Sequence, residues 1–198
     1  MAISTPDGVE GDALLQHYAD TILATRPGPL WLVGHSMGGA AALVAARTAP
    51  ERVRAVILVG SARRLPVNPT LLTALDETPD EAKARITRWS LARGADARLR
   101  AESDRMMGDQ DAGVIRRQFA ACASFDMPTA AIPPSVHLGA VVGAEDRMTP
   151  PDLVAELRSW RPDAPVVTLP GAGHLVMLEA PDAFNAALHE ILTAWELV

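Results

Sequence analysis

The pentapeptide Gly34-His35-Ser36-Met37-Gly38 constrains the fold more than any other part of the chain. It directly follows the apolar run 30–33 and directly precedes the small residues 39–43. This context predicts a strand, a sharp turn and a helix, with Ser36 at the tip of the turn. Such a turn strains its central residue, and glycines are expected on either side where a Cβ would collide with the neighbouring strand or helix. The pattern predicts that Ser36 is presented as a nucleophile.

Size and composition predict one soluble domain. The chain has 198 residues, of which 48% are hydrophobic, enough to bury a core. Its 24 acidic residues outnumber 18 Lys and Arg, which argues against a nucleic-acid partner. The beginning of the chain has neither a basic region nor an apolar segment, so we expect a cytoplasmic protein with no membrane partner. Cys122 is the one cysteine, and its apolar helical neighbours indicate a packing residue.

Four apolar runs bounded by turn residues predict strands, and their near-continuous apolar character is typical of a parallel sheet covered on both faces. Helical patterns lie between them, including one that opens at Thr149 as an N-cap and continues through Trp160, and a last one from Pro181. The fold class is therefore α/β, a mostly parallel sheet with flanking helices. The predicted strands are 30–35, 53–60, 136–143 and 165–169, and the first two predicted helices are 9–25 and 37–49.

The connection between the second and third predicted strands is too long for a single crossover, and its residue pattern predicts helices. Residues 63–134 are predicted to form a helical lid inserted into a core made of residues 1–62 and 135–198. Trp89, Met106 and Met107 are candidates for lining an apolar substrate pocket, and packing within the lid is the alternative. The predicted lid helices are 69–76, 79–93, 97–107 and 111–123.

Ser36 needs a base, because a serine hydroxyl is a poor nucleophile at neutral pH. His174 lies in the loop Gly171-Ala172-Gly173-His174, directly after the last strand, where a side chain can reach the tip of the central strand. The other histidines lie within the turn, on helices or at the start of a strand, where packing or surface roles are expected. Placement and elimination therefore indicate His174 as the base.

The base needs a carboxylate partner that fixes its tautomer. Asp146 follows the third strand and precedes a helix, so it emerges at the carboxyl edge of the sheet, where ligand sites of open α/β sheets lie. Glu145 is the alternative acid, and a helix N-terminal charge is the non-catalytic interpretation of either residue. The order in the chain is then Ser36, Asp146, His174, which is the order associated with one fold among the convergent triads.

With these residues the chain resembles the α/β-hydrolase family. The resemblance covers nearly the whole chain and depends on three blocks, each of which follows a predicted strand: 34–39, then 143–146 with Thr149-Pro150, then 171–174 with Glu179 and Pro181. It implies acyl transfer through a serine ester on Ser36, with His174 as base and then acid and with Asp146 ionised. Met37 matches the position whose backbone N–H donates to the oxyanion.

The chain departs from the family pattern at its beginning. Family members carry several strands before the turn strand, and a loop that supplies the second oxyanion donor, whereas 29 residues precede Leu30 here. We therefore expect half of the sheet to be lacking, 30–33 to form an apolar edge strand and the oxyanion to keep one donor. An incomplete chain is the favoured explanation, and a second copy or a partner that completes the sheet is the alternative.

The resemblance leaves several functions open. The leading hypothesis is a serine hydrolase of a small ester, lactone or thioester, so the expected partner is a small acyl substrate. Carbon–carbon bond hydrolysis, acyl transfer and cofactor-free peroxide chemistry could share Ser36, and a non-catalytic binding or assembly protein is a further alternative. No cofactor is expected, since the sequence has no complete dinucleotide fingerprint, no phosphate loop and no metal-ligand spacing.

Overall fold

A parallel four-stranded sheet lies at the centre of the described structure. The computed structural model describes residues 4–25 and 27–197. The strands are β1 (Leu30–His35), β2 (Val53–Val59), β3 (His137–Gly143) and β4 (Val166–Leu169), in the order β1-β2-β3-β4 with every neighbouring pair parallel. The predicted α/β class is therefore confirmed, and each strand lies within one residue of its expected bounds.

Helices cover both faces of this sheet. Strand β2 shows why the sheet needs both layers: Val56 and Leu58 pack in one core, Ile57 and Val59 in the other. The first core packs against α1 and α2, the second against α9 and α10. The helices of the described residues are α1 (Gly11–Ala24), α2 (Met37–Thr48), α3 (Pro69–Glu77), α4 (Pro79–Ser90), α5 (Ala97–Gly108), α6 (Ala112–Ser124), α7 (Pro151–Ala155), α8 (Leu157–Trp160), α9 (Val176–Glu179) and α10 (Pro181–Ala194).

The helix expected from Thr149 through Trp160 is two short helices instead. The first, α7, begins at Pro151 with Pro150 as its N-cap and no side-chain cap hydrogen bond. The N–H of Glu156 donates to Leu153 O, an i−3 bond that interrupts the α-helical ladder before α8. The predicted N-cap at Thr149 and the single helix are therefore wrong.

Residues 63–134, which we call the helical insertion, leave the sheet after β2 and return before β3. The two ends of the insertion meet, because Arg64 and Asp126 form an antiparallel bridge and the N–H of Met127 donates to Arg63 O at 2.7 Å. Helices α3, α4 and α6 bury a separate apolar cluster, while the end of α6 also reaches the main core. The expected helices are present, and the action of this segment as a lid stays a prediction.

Strand β1 forms one edge of the sheet within the described part of the chain. Its side chains Trp31 and Val33 are 51% and 54% exposed, whereas Leu30 at its start is buried. The expectation of an apolar edge strand is met. Among the described residues, no helix has the length and apolar character needed to cross a bilayer.

Candidate active site

Ser36 lies in the turn between β1 and α2 with a strained backbone. Its φ is 52° and its ψ is −123°, in a region that residues with a Cβ rarely adopt. Two backbone hydrogen bonds hold this turn: the N–H of Ser36 donates to Val59 O at 2.9 Å, and the N–H of Gly39 donates to Ser36 O at 2.9 Å. The sharp, strained turn expected from the pentapeptide is therefore present, and it places Ser36 at the carboxyl end of β1.

The glycines around the turn differ in what they make possible. A Cβ on Gly34 would lie 2.5 Å from Gly38 O, so the strand can approach the helix only without a side chain there. A Cβ on Gly38 would meet nothing within 4 Å, and the expected collision at that position is wrong. Gly39 has the close contact instead, because it faces Ser61 from the first turn of α2. A Cβ added to Gly39 would lie 2.6 Å from the Cβ of Ser61.

His174 and Asp146 form a buried pair. Nδ1 of His174 lies 2.8 Å from Oδ2 of Asp146, and each residue is 3% exposed. The other carboxylate oxygen, Oδ1, accepts the N–H groups of Met148 at 2.9 Å and Thr149 at 2.8 Å. These backbone donors orient the carboxylate, so Oδ2 is directed at the ring. Thr149 thus fixes Asp146 rather than capping a helix.

Glu145, the alternative acid, points elsewhere. Its Oε2 accepts the backbone N–H of Arg93 at 3.0 Å, in the loop that follows α4. The structure therefore pairs the imidazole of His174 with Asp146, and Glu145 connects the same loop of the core to the helical insertion.

The imidazole of His174 reaches across the end of the sheet toward β1. A Cβ on Gly60, directly after β2, would lie 3.0 Å from Nδ1 and 3.2 Å from Cε1 of this ring. The ring also contacts His35, the last residue of β1, at 4.6 Å between centroids. Ser36 is the next residue along the chain. Within the described residues no hydrogen bond joins the Ser36 hydroxyl to the ring, a contact that in such sites often forms only with substrate bound.

His35 supports the backbone of His174 through a hydrogen bond. The sequence alone had indicated a packing or surface role for His35. Burial, and to a lesser extent the neighbouring His174, lower the pKa of His35 from 6.5 to about 4. His35 is therefore neutral at pH 7, and its Nε2 lies 3.0 Å from the carbonyl oxygen of His174, placed to donate to it. The position of His35 in the sequence could have indicated this role. His35 is the last residue of a strand, and the loops after the other strands carry Asp146 and His174.

Met37, the expected oxyanion donor, begins α2, and its role as a donor stays a prediction. Met37 is the first residue of the helix, where a backbone N–H has no partner within the helix. It follows Ser36 directly and is partly exposed, as Ser36 is. An N–H at this position can point at an oxygen bound to the carbon that Ser36 attacks.

The three residues expected to line a substrate pocket have different surroundings. Trp89 lines a mainly apolar cavity of about 340 Å³ beside Met148, which follows the Asp146 loop. Met107 packs against the cluster formed by α3, α4 and α6, and Met106 is 54% exposed. Trp89 is thus the one of the three that lines this cavity, although it also packs against the same cluster as Met107, and the pocket-lining roles of all three residues stay predictions.

Cys122 is buried in the main core, as expected for a packing residue. Burial raises the pKa of its thiol to about 12, so the thiolate is not formed at neutral pH. Over residues 4–25 and 27–197, no group of three His, Cys, Asp or Glu side chains could hold a metal ion.

Comparison with known proteins identifies relatives over most of the chain. A sequence model described as the alpha/beta hydrolase family matches residues 4–187. The 2-hydroxymuconate semialdehyde hydrolase of Pseudomonas putida is 28% identical over 81% of this chain and 61% of the relative. The chain therefore spans less than two thirds of the length of that curated relative.

Solved structures share the fold. The structure of a thermophilic esterase superposes with a TM-score of 0.82 at 27% identity, covering 98% of this chain and 75% of that chain. An esterase from Exiguobacterium antarcticum gives 0.79 at 17% identity, over 94% and 75% of the two chains. The 2-hydroxy-6-oxo-6-phenylhexa-2,4-dienoate hydrolase from Rhodococcus sp. strain RHA1 gives 0.73 at 22% identity, over 97% and 74%. The last two similarities, to the Exiguobacterium and Rhodococcus structures, show only that the fold is shared.

Proposed function

Because the chain belongs to the α/β-hydrolase family, we propose that it is a serine hydrolase that acts on small carboxylic esters, lactones or thioesters through an acyl-enzyme on Ser36. The observation that carries this proposal is the buried pair of His174 and Asp146, in which Nδ1 lies 2.8 Å from Oδ2. The ring of His174 extends toward the strained turn at Ser36. A buried imidazole fixed by a carboxylate is the arrangement that a serine nucleophile requires.

In the first half-reaction the hydroxyl of Ser36 attacks the carbonyl carbon of the substrate. His174 takes the hydroxyl proton on Nε2, while Asp146 accepts the hydrogen bond from Nδ1–H and stabilises the imidazolium. The backbone N–H of Met37 donates to the oxyanion of the tetrahedral intermediate. Collapse expels the alcohol or thiol, which receives the proton from His174, and leaves an ester on Ser36.

In the second half-reaction a water molecule takes the place of the leaving group. His174 removes a proton from this water as it attacks the ester carbon, and the resulting intermediate collapses to the free acid while His174 returns the proton to the Ser36 oxygen. Each step uses the same three side chains, so loss of any one should remove most of the turnover.

Covalent labelling tests the nucleophile directly. We expect a fluorophosphonate to modify Ser36, identified by mass spectrometry of peptides, and we expect no labelling of Ser36→Ala. The variants His174→Ala and Asp146→Asn should label at least about 100-fold more slowly, because the base or its tautomer is lost. Labelling of another residue at an undiminished rate in Ser36→Ala would refute the proposal.

A second candidate is hydrolysis of a carbon–carbon bond, favoured by the similarity to the 2-hydroxymuconate semialdehyde hydrolase. Parallel assays with a chromogenic acetyl ester and with 2-hydroxymuconate semialdehyde separate the two reactions. Preference for the ester supports the first proposal, and preference for the semialdehyde supports the second. If Ser36 is not labelled and the wild type turns over neither substrate, the non-catalytic alternative is favoured.

A further inference from the structure

The backbone of His174 is held from two sides. Its N–H donates to Ser90 O at 2.9 Å, and the N–H of Leu175 donates to the same oxygen at 3.1 Å. On the other side, Nε2 of His35 contacts the carbonyl oxygen of His174 at 3.0 Å. Ser90 is the last residue of α4, so the position of His174 depends on the helical insertion as well as on the sheet.

Glu179 joins the same two segments through its side chain. Its Oε1 accepts the N–H of Gly173 at 3.0 Å, and its Oε2 accepts the N–H of Ala92 at 2.8 Å. One carboxylate therefore accepts the backbone N–H of the residue before His174 and that of Ala92, the second residue after α4. Hydrogen bonds to an ionised acceptor are among the strong ones in proteins.

The two segments touch without any space between them. A Cβ on Gly173 would lie 2.5 Å from the nitrogen of Ala92 and 2.8 Å from the carbonyl carbon of Leu91. Gly173 and Ala92 are both buried, and the carboxylate of Glu179 accepts the backbone N–H of each. Removal of this carboxylate takes away the protein acceptor of both donors, so we expect the contact between the two segments to loosen.

We propose that Glu179 is a positioning residue for His174, which rests on the proposed function of His174 as the base. Glu179 does not reach the reacting atoms. It holds Gly173 against the helical insertion, so that the backbone of His174 stays bonded to Ser90 and the ring stays on Asp146. A displacement of the ring by about 1 Å is enough to cost about 100-fold in rate.

The test compares Glu179→Ala with Asp96→Ala. Asp96 is a matched control because its carboxylate also accepts two backbone N–H groups of the helical insertion, those of Arg98 at 2.8 Å and Leu99 at 3.2 Å, at the start of α5. For an acetyl ester we expect Glu179→Ala to lower kcat about 10- to 100-fold with KM changed less than about threefold. Asp96→Ala should keep kcat within about twofold while its Tm falls. Glu179→Gln, which retains one acceptor oxygen, should recover part of kcat.

A spectroscopic readout separates this proposal from the proposed function. In protein labelled with ¹⁵N-histidine, the Nδ1 proton of His174 that faces Asp146 should give a far-downfield resonance. We expect this resonance in the wild type and in Asp96→Ala, and we expect it to broaden or vanish in folded Glu179→Ala. Its persistence in Glu179→Ala, or equal kcat losses in Glu179→Ala and Asp96→Ala, would overturn the positioning role. A wild type that shows the resonance but neither turns over esters nor reacts with a fluorophosphonate would refute the proposed function instead.

Discussion

Gly60 leaves the space that the imidazole of His174 occupies. A Cβ at this position would lie 3.0 Å from Nδ1 of His174 and 3.1 Å from Oδ2 of Asp146. Gly60 also has a φ of +50°, a conformation that other residues rarely adopt. The end of β2 thus contributes to the site by having no side chain.

Gly60→Ala should therefore impair both folding and activity. We expect a loss of roughly 1–2 kcal/mol in the free energy of unfolding from the left-handed backbone, and a fall of about 10-fold in kcat, because contacts of 3.0 and 3.1 Å displace the ring slightly. Gly8→Ala is the control, since Gly8 has a φ of +71° but open space around it. It should show a similar loss of stability, measured by urea unfolding, without the loss of kcat. Equal kcat in the two variants would contradict the crowding explanation.

The pKa of His35 predicts a pH dependence of stability. Burial lowers this pKa from 6.5 to about 4, so between these values the unfolded chain binds a proton that the folded protein does not. The stabilisation is complete above pH 6.5 and is lost as the pH falls toward 4. One pKa unit corresponds to about 1.4 kcal/mol, and the ring is partly exposed, so we expect a loss of about 2 kcal/mol over this window.

Denaturant unfolding at several pH values checks this expectation. His35→Gln keeps a donor for the carbonyl oxygen of His174 but cannot titrate, so its free energy of unfolding should change less between pH 6.5 and pH 4 than that of the wild type. His189→Gln, which removes an exposed histidine, should leave the wild-type slope. If His35→Gln and the wild type have the same slope, the neutral His35 is not the cause of the pH dependence.

The buried hydroxyl of Ser61 indicates a substitution that should stabilise the folded protein. Its side chain is fully buried against Gly39, and among the described residues its Oγ has no hydrogen-bond partner. Because a buried hydroxyl without a partner costs free energy, Ser61→Ala should stabilise the protein by about 1 kcal/mol and raise its Tm by about 2–4 °C. Ser90→Ala should give no gain, since Ser90 Oγ donates to Ile86 O at 2.9 Å. A lower Tm for Ser61→Ala would show that the hydroxyl has a partner in solution.

The exposed edge of β1 predicts self-association. Trp31 and Val33 present apolar side chains on a strand with an open side within the described sheet, and such edges pair with other chains. Replacing Val33 by Lys should lower the weight-average mass measured by light scattering at high concentration. Met106→Lys, at an equally exposed residue on a helix, should leave that mass unchanged. A wild-type chain that stays monomeric at high concentration would contradict the prediction of a second copy at this edge.

Local patterns were enough to predict the four strands and most of the helices in their order, but not α9 or the division of one predicted helix into α7 and α8. The apolar runs of β1 to β4 and the turn at Ser36 depend on neighbours in the chain, which is why their bounds agree within one residue. The chain order of Ser36, Asp146 and His174 was likewise readable, because parallel strands bring their carboxyl ends to one edge. The cap at Thr149 was predicted wrongly: Pro150 is the N-cap of α7, and the N–H of Thr149 donates to the side chain of Asp146, three residues earlier.

The sequence by itself determined the type of fold, the strained serine turn and the residues that could reach it. Only the tertiary structure decided that Asp146 rather than Glu145 faces His174, that Gly39 rather than Gly38 has the close contact, and that His35 and Glu179 bond to the loop of His174. Turns and strands follow from interactions over a few residues. The choice among neighbouring carboxylates and glycines depends instead on groups that are distant in the chain, whose directions no local pattern contains.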